Sequence, residues 1–317
     1  MADRGSGRSV EKGSLRLPGS AARERAQLLE RLAALDARIA TLEGLATEAR
    51  DMSARAYERL ENGPAKLAAI RAGSEYEAAW REPEPLVSVV IATYNGAEIL
   101  CERALASVRA QTYRHWEAVV VGDACTDDTA ERIAAIGDAR IRFINLPVRG
   151  PYPEEPLLLW RIAGSTPHNA GCREAQGRWI APLGHDDAFE EDHIEVLLAL
   201  ARERRAELAY GQLRTLDADS GVDLGNLVGQ WPPRYSHIGM QGAIYHRGLA
   251  AFEWDLNARF AGEPNDWNFT RRLWEAGARF AFLERPVTSY YYKPKDPIGQ
   301  AWVRSVLEGR EATGSVS

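Results

Sequence analysis

The sequence predicts an α/β protein built on a mostly parallel, Rossmann-like sheet with helices on both faces, preceded by an N-terminal helical coiled coil. Short apolar runs rich in β-branched residues, such as 86–92 and 116–121, alternate with segments of helical periodicity. The run 86–92 is apolar on both faces, as expected of a central parallel strand. A heptad-like repeat between residues 28 and 60 predicts the coiled coil.

The N-terminal region has two parts. Residues 1–20 are polar and Gly/Ser-rich, and we expect them to be disordered. From residue 21, apolar or small residues recur in alternating steps of four and three, with charged residues on the other faces. We favour an oligomerising coiled coil, and one amphipathic helix lying on the next domain remains the alternative. The seam consists of Leu28, Leu32, Leu35, Ile39, Leu42, Ala46, Ala49, Ser53, Ala56 and Leu60.

Domain boundaries follow from the helix-breaking residues. Asn62-Gly63-Pro64 interrupts the first helix, and a second helical stretch runs from 65 to 80. Two prolines in the segment 81–85 indicate a stiff linker. We therefore predict a disordered N-terminus, a helical and linker region, a main domain and a C-terminal helix or tail, at residues 1–20, 21–82, 83–297 and 298–317.

Composition excludes several classes of protein. A net charge of -6 over 317 residues argues against a nucleic-acid partner. The three cysteines are far apart, which argues against a disulfide framework and suits a reducing compartment. No apolar run reaches the length of about 18 residues that a membrane span needs, and no signal-peptide core is present. We expect a cytoplasmic protein, either free or peripheral at the inner face of the membrane.

Polar side chains follow three of the predicted strands. The predicted strands are 86–92, 116–121, 141–146 and 179–183. Tyr94 and Asn95 follow the first strand, Asp123 the second, and Asp186 and Asp187 the fourth. Parallel strands end at the same edge of a sheet, so these groups should converge. Adjacent carboxylates repel, and a hard cation such as Mg²⁺ or Mn²⁺ would relieve that cost. The plainer interpretations are a turn-forming aspartate at 123, an interface aromatic at 94 and a helix cap at 186–187.

This set of groups suits a nucleoside diphosphate. A base can stack on Tyr94 and donate a ring N–H to Asp123, while the diphosphate shares a cation with Asp186. The turn after the first strand lacks the Gly-x-Gly-x-x-Gly pattern of a dinucleotide site, and the sequence has no Walker loop, Gly-x-Ser-x-Gly elbow or His-Glu-x-x-His pair.

Four ordered motifs carry a resemblance to family 2 glycosyltransferases over about residues 86–292. They read Val-Ser-Val-Val-Ile-Ala-Thr-Tyr-Asn, Gln-Thr-Tyr-x-x-Trp-Glu, Val-Gly-Asp-Ala-Cys-Thr-Asp-Asp-Thr, and His-Asn-Ala-Gly-x-x-x-Ala-x-Gly-x-Trp-Ile-Ala-x-Leu-Gly-His-Asp-Asp. The resemblance implies the A-type glycosyltransferase fold, an inverting mechanism and a divalent metal, Mn²⁺ or Mg²⁺.

The resemblance also implies roles for individual residues. Asp186 matches the second aspartate of the Asp-x-Asp metal motif, and Asp187 is the acid that usually follows it. His168 stands where the family usually has the arginine of an Arg-Asn pair near the donor. The implied nucleotide-sugar-binding residues are Thr93, Tyr94, Asn95, Asp123, His168, Asn169 and Asp186.

The sequence departs from the family at two positions. Gly184 replaces the first aspartate of the Asp-x-Asp motif, and Gly122 replaces the first acid of the usual Asp-Asp-Gly-Ser turn. Each change removes a carboxylate from the metal or ribose contacts. We expect either weaker binding of the nucleotide sugar or another residue that replaces the lost contact. We interpret the sequence as a variant of the family's motifs.

The acceptor half is marked by one further acid. Asp266, in Asn-Asp-Trp before a predicted helix, resembles the family's base motif, and its plainer interpretation is a helix N-cap. Trp231 and Trp267 can stack on sugar rings, and each is equally well explained as a core residue.

The leading hypothesis is therefore an inverting, metal-dependent glycosyltransferase in cell-surface polysaccharide synthesis. It would use a UDP-, GDP- or dTDP-linked sugar and a glycan or lipid-linked acceptor, and form a homo-oligomer through its N-terminal helix. One alternative is a nucleotidyltransferase on a similar sheet, which would need a basic Gly-rich loop that is missing here. The other is a non-catalytic, degenerate scaffold acting through its coiled coil.

Overall fold

The computed structural model describes residues 19–293, with the backbone alone described at 19–21, 47, 50–51 and 54–60. The predicted disorder before residue 19 and the predicted C-terminal helix or tail at 298–317 lie outside this range. The chain divides after Met52 into two compact units. Among the described residues no helix is long and apolar enough to cross a membrane.

The described residues of the first unit, 19–52, belong to one long helix, α1 (Gly19–Leu60). The predicted helix is present. Its five leucine and isoleucine seam residues between 28 and 42 are 49% to 63% exposed. A seam of this kind buries its apolar side chains when helices associate, and the coiled coil stays a prediction.

Two short helices, α2 (Gly63–Ala72) and α3 (Ser74–Arg81), belong to the core of the second unit. Leu67, Tyr76 and Trp80 are buried. The Trp80 ring meets the Trp179 ring edge to face, with 5.0 Å between the ring centroids, so α3 packs directly against the β-sheet. The predicted boundary at residues 82 and 83 therefore falls inside the second unit.

A buried ion pair also ties these helices to the sheet. Glu207 has a fully buried side chain and accepts hydrogen bonds from Arg71 at 2.7 and 2.8 Å and from the Tyr76 hydroxyl at 2.6 Å. Burial raises the pKa of Glu207, but the hydrogen bonds from Arg71 and Tyr76 lower it by more. The pKa of Glu207 therefore lies below its ordinary value. Removing one partner would leave a buried charge without its counter-charge.

The described part of the second unit contains nine strands in one sheet, in the order β3-β2-β1-β4-β8-β6-β9-β5, with β7 beside β6. Strands β3, β2, β1 and β4 are parallel, β6 and β9 are parallel, and the remaining pairs are antiparallel. The strands are β1 (Val87–Thr93), β2 (Trp116–Gly122), β3 (Ile141–Asn145), β4 (Trp179–Gly184), β5 (Ala188–Phe189), β6 (Leu208–Asp217), β7 (Asp223–Val228), β8 (Ala243–His246) and β9 (Phe280–Tyr292).

Helices connect the strands. The helix after β1, α4, runs through Ala97–Ile99, a π-helical turn at Leu100–Ala104 and Leu105–Arg109. Short 3₁₀ segments occupy Met240–Gly242, Arg247–Phe252 and Leu256–Ala261. The other α-helices are α5 (Thr129–Ile136), α6 (Pro156–Ile162), α7 (Ser165–Glu174), α8 (His193–Arg204) and α9 (Asn265–Glu275).

The strand register explains why polar groups converge. Thr93 pairs with Gly122, and Ala92 pairs with Gly184, so β1, β2 and β4 end at the same level. Strands β1 and β2 are almost wholly buried because helices cover both faces of the parallel half. The residues that follow these strands therefore lie together at one edge, as the sequence predicts.

Two elements differ from the sequence expectation. The Gly-, Pro- and Trp-rich composition of residues 222–236 predicts a mobile loop, yet within this segment β7 pairs with β6 through an irregular register. Helix α6 follows the Pro-rich loop 147–156 and begins at a proline, a residue that is well suited to the first turn of a helix.

Candidate active site

A cavity of about 300 Å³ lies at the ends of β1, β2 and β4, and we call it the strand-end cavity. Its size lies at the lower end of small-molecule sites. Predicted site residues from all three strand ends line it, together with groups from the segment after β3. The lining residues used below are Thr93, Tyr94, Asp123, Arg149, His168, Gly184, His185, Asp186, Asp187, Gln241 and Trp254.

Tyr94 and Asp123 lie in this cavity as the sequence predicts. Tyr94 is 41% exposed and Asp123 is buried. The Arg149 guanidinium stacks on the Tyr94 ring at 3.8 Å, and its Nε lies 3.9 Å from Asp123 Oδ2. The backbone N–H of Gly150 donates to Asp123 Oδ1 at 3.0 Å. The cavity thus presents an aromatic face, a carboxylate acceptor and a guanidinium in contact with each other.

Thr93 and Asn95 have different environments. Thr93 Oγ1 is buried, and neither it nor the buried Nε1 of Trp254 has a hydrogen-bond partner within the described structure. Unpaired buried polar atoms are costly, so a polar ligand in the cavity would relieve them. Asn95 has a positive φ of 47°, and its Oδ1 accepts from the Thr126 N–H at 2.8 Å. The Asn95 side chain therefore holds the turn after β2.

The two adjacent aspartates are not equivalent. Asp186 is exposed, whereas Asp187 is buried and its Oδ1 accepts from the Tyr291 N–H at 3.0 Å. Burial, and next the charge of Asp186, raise the pKa of Asp187 well above its ordinary value. A divalent cation would oppose both effects. Among residues 19–293 no three His, Cys, Asp or Glu side chains form a metal cluster, so phosphate and water would complete the coordination.

The sequence departs from the family motifs at Gly184 and Gly122, and at both positions neighbouring side chains occupy the space that a larger residue would need. A Cβ at Gly184 would lie 2.6 Å from Asp187 Oδ2, and a Cβ at Gly122 would lie 2.6 Å from Asn145 Oδ1. Real Cβ atoms do not come this close to another heavy atom. Asn145 in turn bonds both backbone polar groups of Cys125, at 2.8 and 2.9 Å. A larger residue at either position would therefore collide with Asp187 or with Asn145.

The His168 ring packs against Trp254, and the Asn169 side chain bonds the backbone of the same residue. The His168 ring is buried against Trp254 at 3.9 Å, and burial lowers its pKa to about 3. A neutral imidazole supplies no positive charge to a diphosphate. Asn169 accepts from the Trp254 N–H at 2.8 Å and donates to the Trp254 carbonyl at 3.0 Å. These two residues position Trp254, which lines the strand-end cavity.

Asp266 lies in a second cavity, of about 570 Å³, which we call the aromatic cavity. It is the second residue of α9, and Pro264 occupies the N-cap position. Its Oδ1 accepts from the Trp267 N–H at 2.7 Å. Burial raises the pKa of Asp266 to about 6, against the opposing effect of this N–H. A carboxyl group with this pKa can accept a proton near neutral pH.

The aromatic cavity takes its name from five residues of four segments. Its lining includes Trp160, Tyr235, Trp267, Tyr290 and Tyr292. Trp267, a predicted acceptor residue, is therefore beside Asp266. Trp231, the other predicted acceptor residue, lines a separate groove, where its ring meets Trp274 at 5.8 Å.

The two cavities share a boundary. Gln241 lines both of them. Tyr290 lines the aromatic cavity, and burial first, and then the charges of Asp187, Asp266 and Asp186, raise its pKa. A molecule held in the strand-end cavity can therefore face a group held beside Asp266.

Sequence reasoning missed several of these residues. Arg149 could have been found, because it follows the third strand at the same sheet edge as Tyr94 and Asp123. Gln241 and Trp254 carry no local pattern, since long-range packing brings them to the cavity. Trp160 lies in the helix that sequence reasoning did not predict.

Comparison with known proteins finds one matching family and several related sequences. The model of "Glycosyl transferase family 2" matches residues 88–152 and 167–253. The succinoglycan biosynthesis protein ExoO of Rhizobium meliloti is 36% identical over 136 residues, which are 43% of this chain and 35% of ExoO. An Escherichia coli protein, "UDP-Glc:alpha-D-GlcNAc-diphosphoundecaprenol beta-1,3-glucosyltransferase WfgD", is 28% identical over 138 residues, 43% of this chain and 49% of WfgD. The chain thus spans half or less of these relatives.

Solved structures support the fold. Residues 1–349 of Staphylococcus aureus TarS superpose with a TM-score of 0.53 at 16% identity, covering 65% of this chain and 60% of that one. The same protein in complex with UDP-GlcNAc gives 0.52 at 16% identity, over 67% and 60% of the two chains. The chain has the A-type glycosyltransferase fold. The chain belongs to glycosyl transferase family 2.

Proposed function

We propose that the protein is an inverting glycosyltransferase that transfers a sugar from a nucleoside diphosphate sugar to a glycan or lipid-linked acceptor in polysaccharide synthesis. One observation carries the proposal: a cavity suited to a nucleotide shares Gln241 with a cavity that contains a partly buried carboxyl group. ExoO is named for succinoglycan biosynthesis, and WfgD for the use of a UDP-linked glucose.

The donor would bind in the strand-end cavity. The base stacks against Tyr94 and Arg149, and a ring N–H donates to Asp123, which is buried beside the Arg149 guanidinium. The unpaired Thr93 Oγ1 and Trp254 Nε1 can bond polar groups of the donor. This arrangement suits UDP, GDP and dTDP, which share an N–H on the pairing edge of the base.

A divalent cation fits the same cavity. Asp186 and Asp187 would hold Mn²⁺ or Mg²⁺, and their mutual repulsion and the raised pKa of Asp187 are the observations that favour a cation there. When bound, the ion supplies positive charge to the diphosphate. Arg103 donates to the Asp186 carbonyl at 2.7 Å and stacks on Tyr291 at 3.5 Å, which orients the loop that carries both acids.

The acceptor would bind in the aromatic cavity. Asp266 accepts the proton of the attacking hydroxyl as the oxygen bonds to the anomeric carbon and the bond from that carbon to the diphosphate oxygen breaks. The nucleoside diphosphate leaves with the bonding electron pair. Inversion follows if the hydroxyl attacks the face of the sugar opposite the leaving group, and the position of Asp266 in a cavity distinct from that of Asp186 supports this geometry.

Calorimetric titration with UDP, GDP and dTDP in the presence of Mn²⁺ tests the donor proposal. We expect one of them to bind, with loss of most of the metal-dependent affinity in Asp186→Asn. Glu190→Gln, a nearby acid outside the cavity, serves as the control. No binding by any nucleotide would leave the degenerate scaffold as the better account, and an unchanged affinity in Asp186→Asn would remove the metal assignment.

We also propose that α1 mediates homo-oligomerisation, because its exposed seam repeats with heptad spacing. Leu35→Glu places a charge in the seam, and Ala34→Glu adds the same charge beside it. Light scattering on the full chain should show a lower mass per particle for Leu35→Glu alone. Equal masses for the wild type and both variants would contradict this proposal.

A further inference from the structure

Helix α6 lies in a segment that the family match omits. The match stops at residue 152 and resumes at 167, so residues 153–166 lie outside it, and we call this segment the insertion. Glu155 caps α6 by accepting from the N–H groups of Leu157 and Leu158 at 2.9 and 2.7 Å, and Pro156 starts the helix. The insertion is thus an ordered helix with its own capping residue.

The insertion is anchored beside Asp266. Asn265 is buried, and its Nδ2 donates to the Ala163 carbonyl at 2.9 Å and to Ser165 Oγ at 2.8 Å. Its Oδ1 accepts from the Asp266 N–H at 2.9 Å. Ile162, at the end of α6, is fully buried. The Asn265 side chain therefore links the end of the insertion to the backbone of Asp266, whose carboxyl group we propose as the base.

The insertion contributes Trp160 to the aromatic cavity, where 45% of this residue is exposed. Trp267, Tyr290 and Tyr292 also line the cavity and lie after the matched region, so Tyr235 alone of its five aromatic residues falls inside the match. A large exposed aromatic ring is costly to leave in water, and an apolar ligand surface would cover it.

The aromatic cavity is lined by very few charged side chains. Among the described residues that line it, none is Lys or Arg, and Asp266 is its one acid. A phosphate or a uronate would meet a carboxyl group and no cation there. A neutral pyranose offers an apolar C–H face to flat aromatic rings and hydroxyl groups to Asp266, Gln241 and the tyrosines.

We propose that the aromatic cavity holds a neutral sugar ring of the acceptor and that Trp160 of the inserted helix forms one wall of this subsite. The proposal rests on the proposed function, because it assigns the sugar to the acceptor side. It identifies the acceptor as a saccharide with a neutral terminal residue. A lipid-linked acceptor would place its phosphate groups outside this cavity.

Saturation-transfer NMR and calorimetry with methyl β-D-glucopyranoside, methyl β-D-galactopyranoside and methyl N-acetyl-β-D-glucosaminide test the subsite. At least one should bind, more tightly than glucuronate or glucose 6-phosphate. Trp160→Ala should weaken that binding by roughly twofold to tenfold, the equivalent of one aromatic contact. Trp160→Tyr keeps a flat ring and should retain most of the affinity. Binding of UDP with Mn²⁺ should be equal in all these proteins.

Leu157→Ala is the matched control, because Leu157 is on the same helix, is 51% exposed and does not line the cavity. It should leave sugar binding unchanged. The proposal is overturned if no neutral glycoside binds, if Trp160→Ala binds as well as the wild type, or if charged sugars bind better. Binding of octyl glucoside without methyl glucoside would identify an alkyl chain as the occupant. These outcomes are separate from the loss of UDP binding, which would contradict the proposed function instead.

Discussion

The strand-end cavity and the aromatic cavity lie side by side but are built in different ways. The strand-end cavity is formed mainly by residues within the family match, at the aligned ends of β1, β2 and β4. The aromatic cavity takes four of its five aromatic residues from outside the match. The family match therefore covers most of the first cavity, whereas the aromatic side chains of the second lie mostly outside it.

The difference also appears in the charges. Asp123, Asp186 and Asp187 give the strand-end cavity acids that can be balanced by Arg149 or by a cation. In the aromatic cavity, Asp266 has no such partner among the described lining residues, and burial raises its pKa to about 6. One cavity suits a charged ligand and the other suits a neutral one.

The largest expected effect comes from Asp266→Asn, which tests whether the cavities have separate tasks. Asparagine keeps the shape and an oxygen that can accept from the Trp267 N–H, but it cannot take a proton. Turnover should fall by about a hundredfold to ten-thousandfold, with the affinity for the nucleotide unchanged. Asp255→Asn, which alters a capping aspartate outside both cavities, is the kinetic control. Near-normal turnover of Asp266→Asn would place the base elsewhere.

Asp123→Asn should have the next largest effect, confined to the donor. Loss of the charged acceptor for a base N–H should weaken UDP binding by about tenfold to a hundredfold. Asp128→Asn changes an exposed acid of the same loop and should bind UDP normally. Calorimetry gives both affinities, and equal values would mean that Asp123 only holds the turn through Gly150.

Gly184→Ala should show that Asp187 occupies the space beside the glycine. The added Cβ would press on Asp187 Oδ2, and overpacking of this kind costs about 1–3 kcal/mol. Urea unfolding of the single variants and of the double variant with Asp187→Ala measures the coupling. The cost should shrink when Asp187 is shortened, and an equal cost in both backgrounds would assign the clash to another group.

A pH-dependent difference in stability should be comparable in size to the effect of Gly184→Ala. The folded-state pKa of Asp266, about 6, lies above its ordinary value of 3.8, so the folded protein binds this proton more tightly than the unfolded chain does. The wild type should therefore lose stability relative to Asp266→Asn as pH rises from 4 to 7. Urea unfolding at both pH values checks this, and a constant difference would mean that the carboxyl is not desolvated.

The sequence predicted the strand-end cavity better than the aromatic cavity for a physical reason. Buried parallel strands have a strong local pattern, and the polar groups that follow them must share an edge, so Tyr94, Asp123 and Asp186 could be placed together. Trp160 reaches Asp266 through the contacts of Asn265 with residues 163 and 165, which no local pattern shows.

Three other differences between the sequence-based expectation and the structure also arise from contacts between residues far apart in the chain. Strand β7 was missed because Gly225 and its neighbours resemble a loop, and pairing with β6 outweighs their weak strand propensity. Tertiary packing of Tyr76 and Trp80 joins α2 and α3 to the second unit, although the prolines at 83 and 85 resemble a boundary. Trp231 and Trp267 looked alike in sequence, and the fold places them in different grooves.

The most direct measurement is a crystal structure with Mn²⁺, the nucleoside diphosphate that binds most tightly in calorimetry, and the preferred methyl glycoside. The account predicts the base between Tyr94 and Asp123, the diphosphate beside Asp186, and the glycoside against Trp160 with a hydroxyl at Asp266. A nucleotide bound outside the strand-end cavity, or a glycoside bound away from Asp266, would contradict the division of tasks between the two cavities.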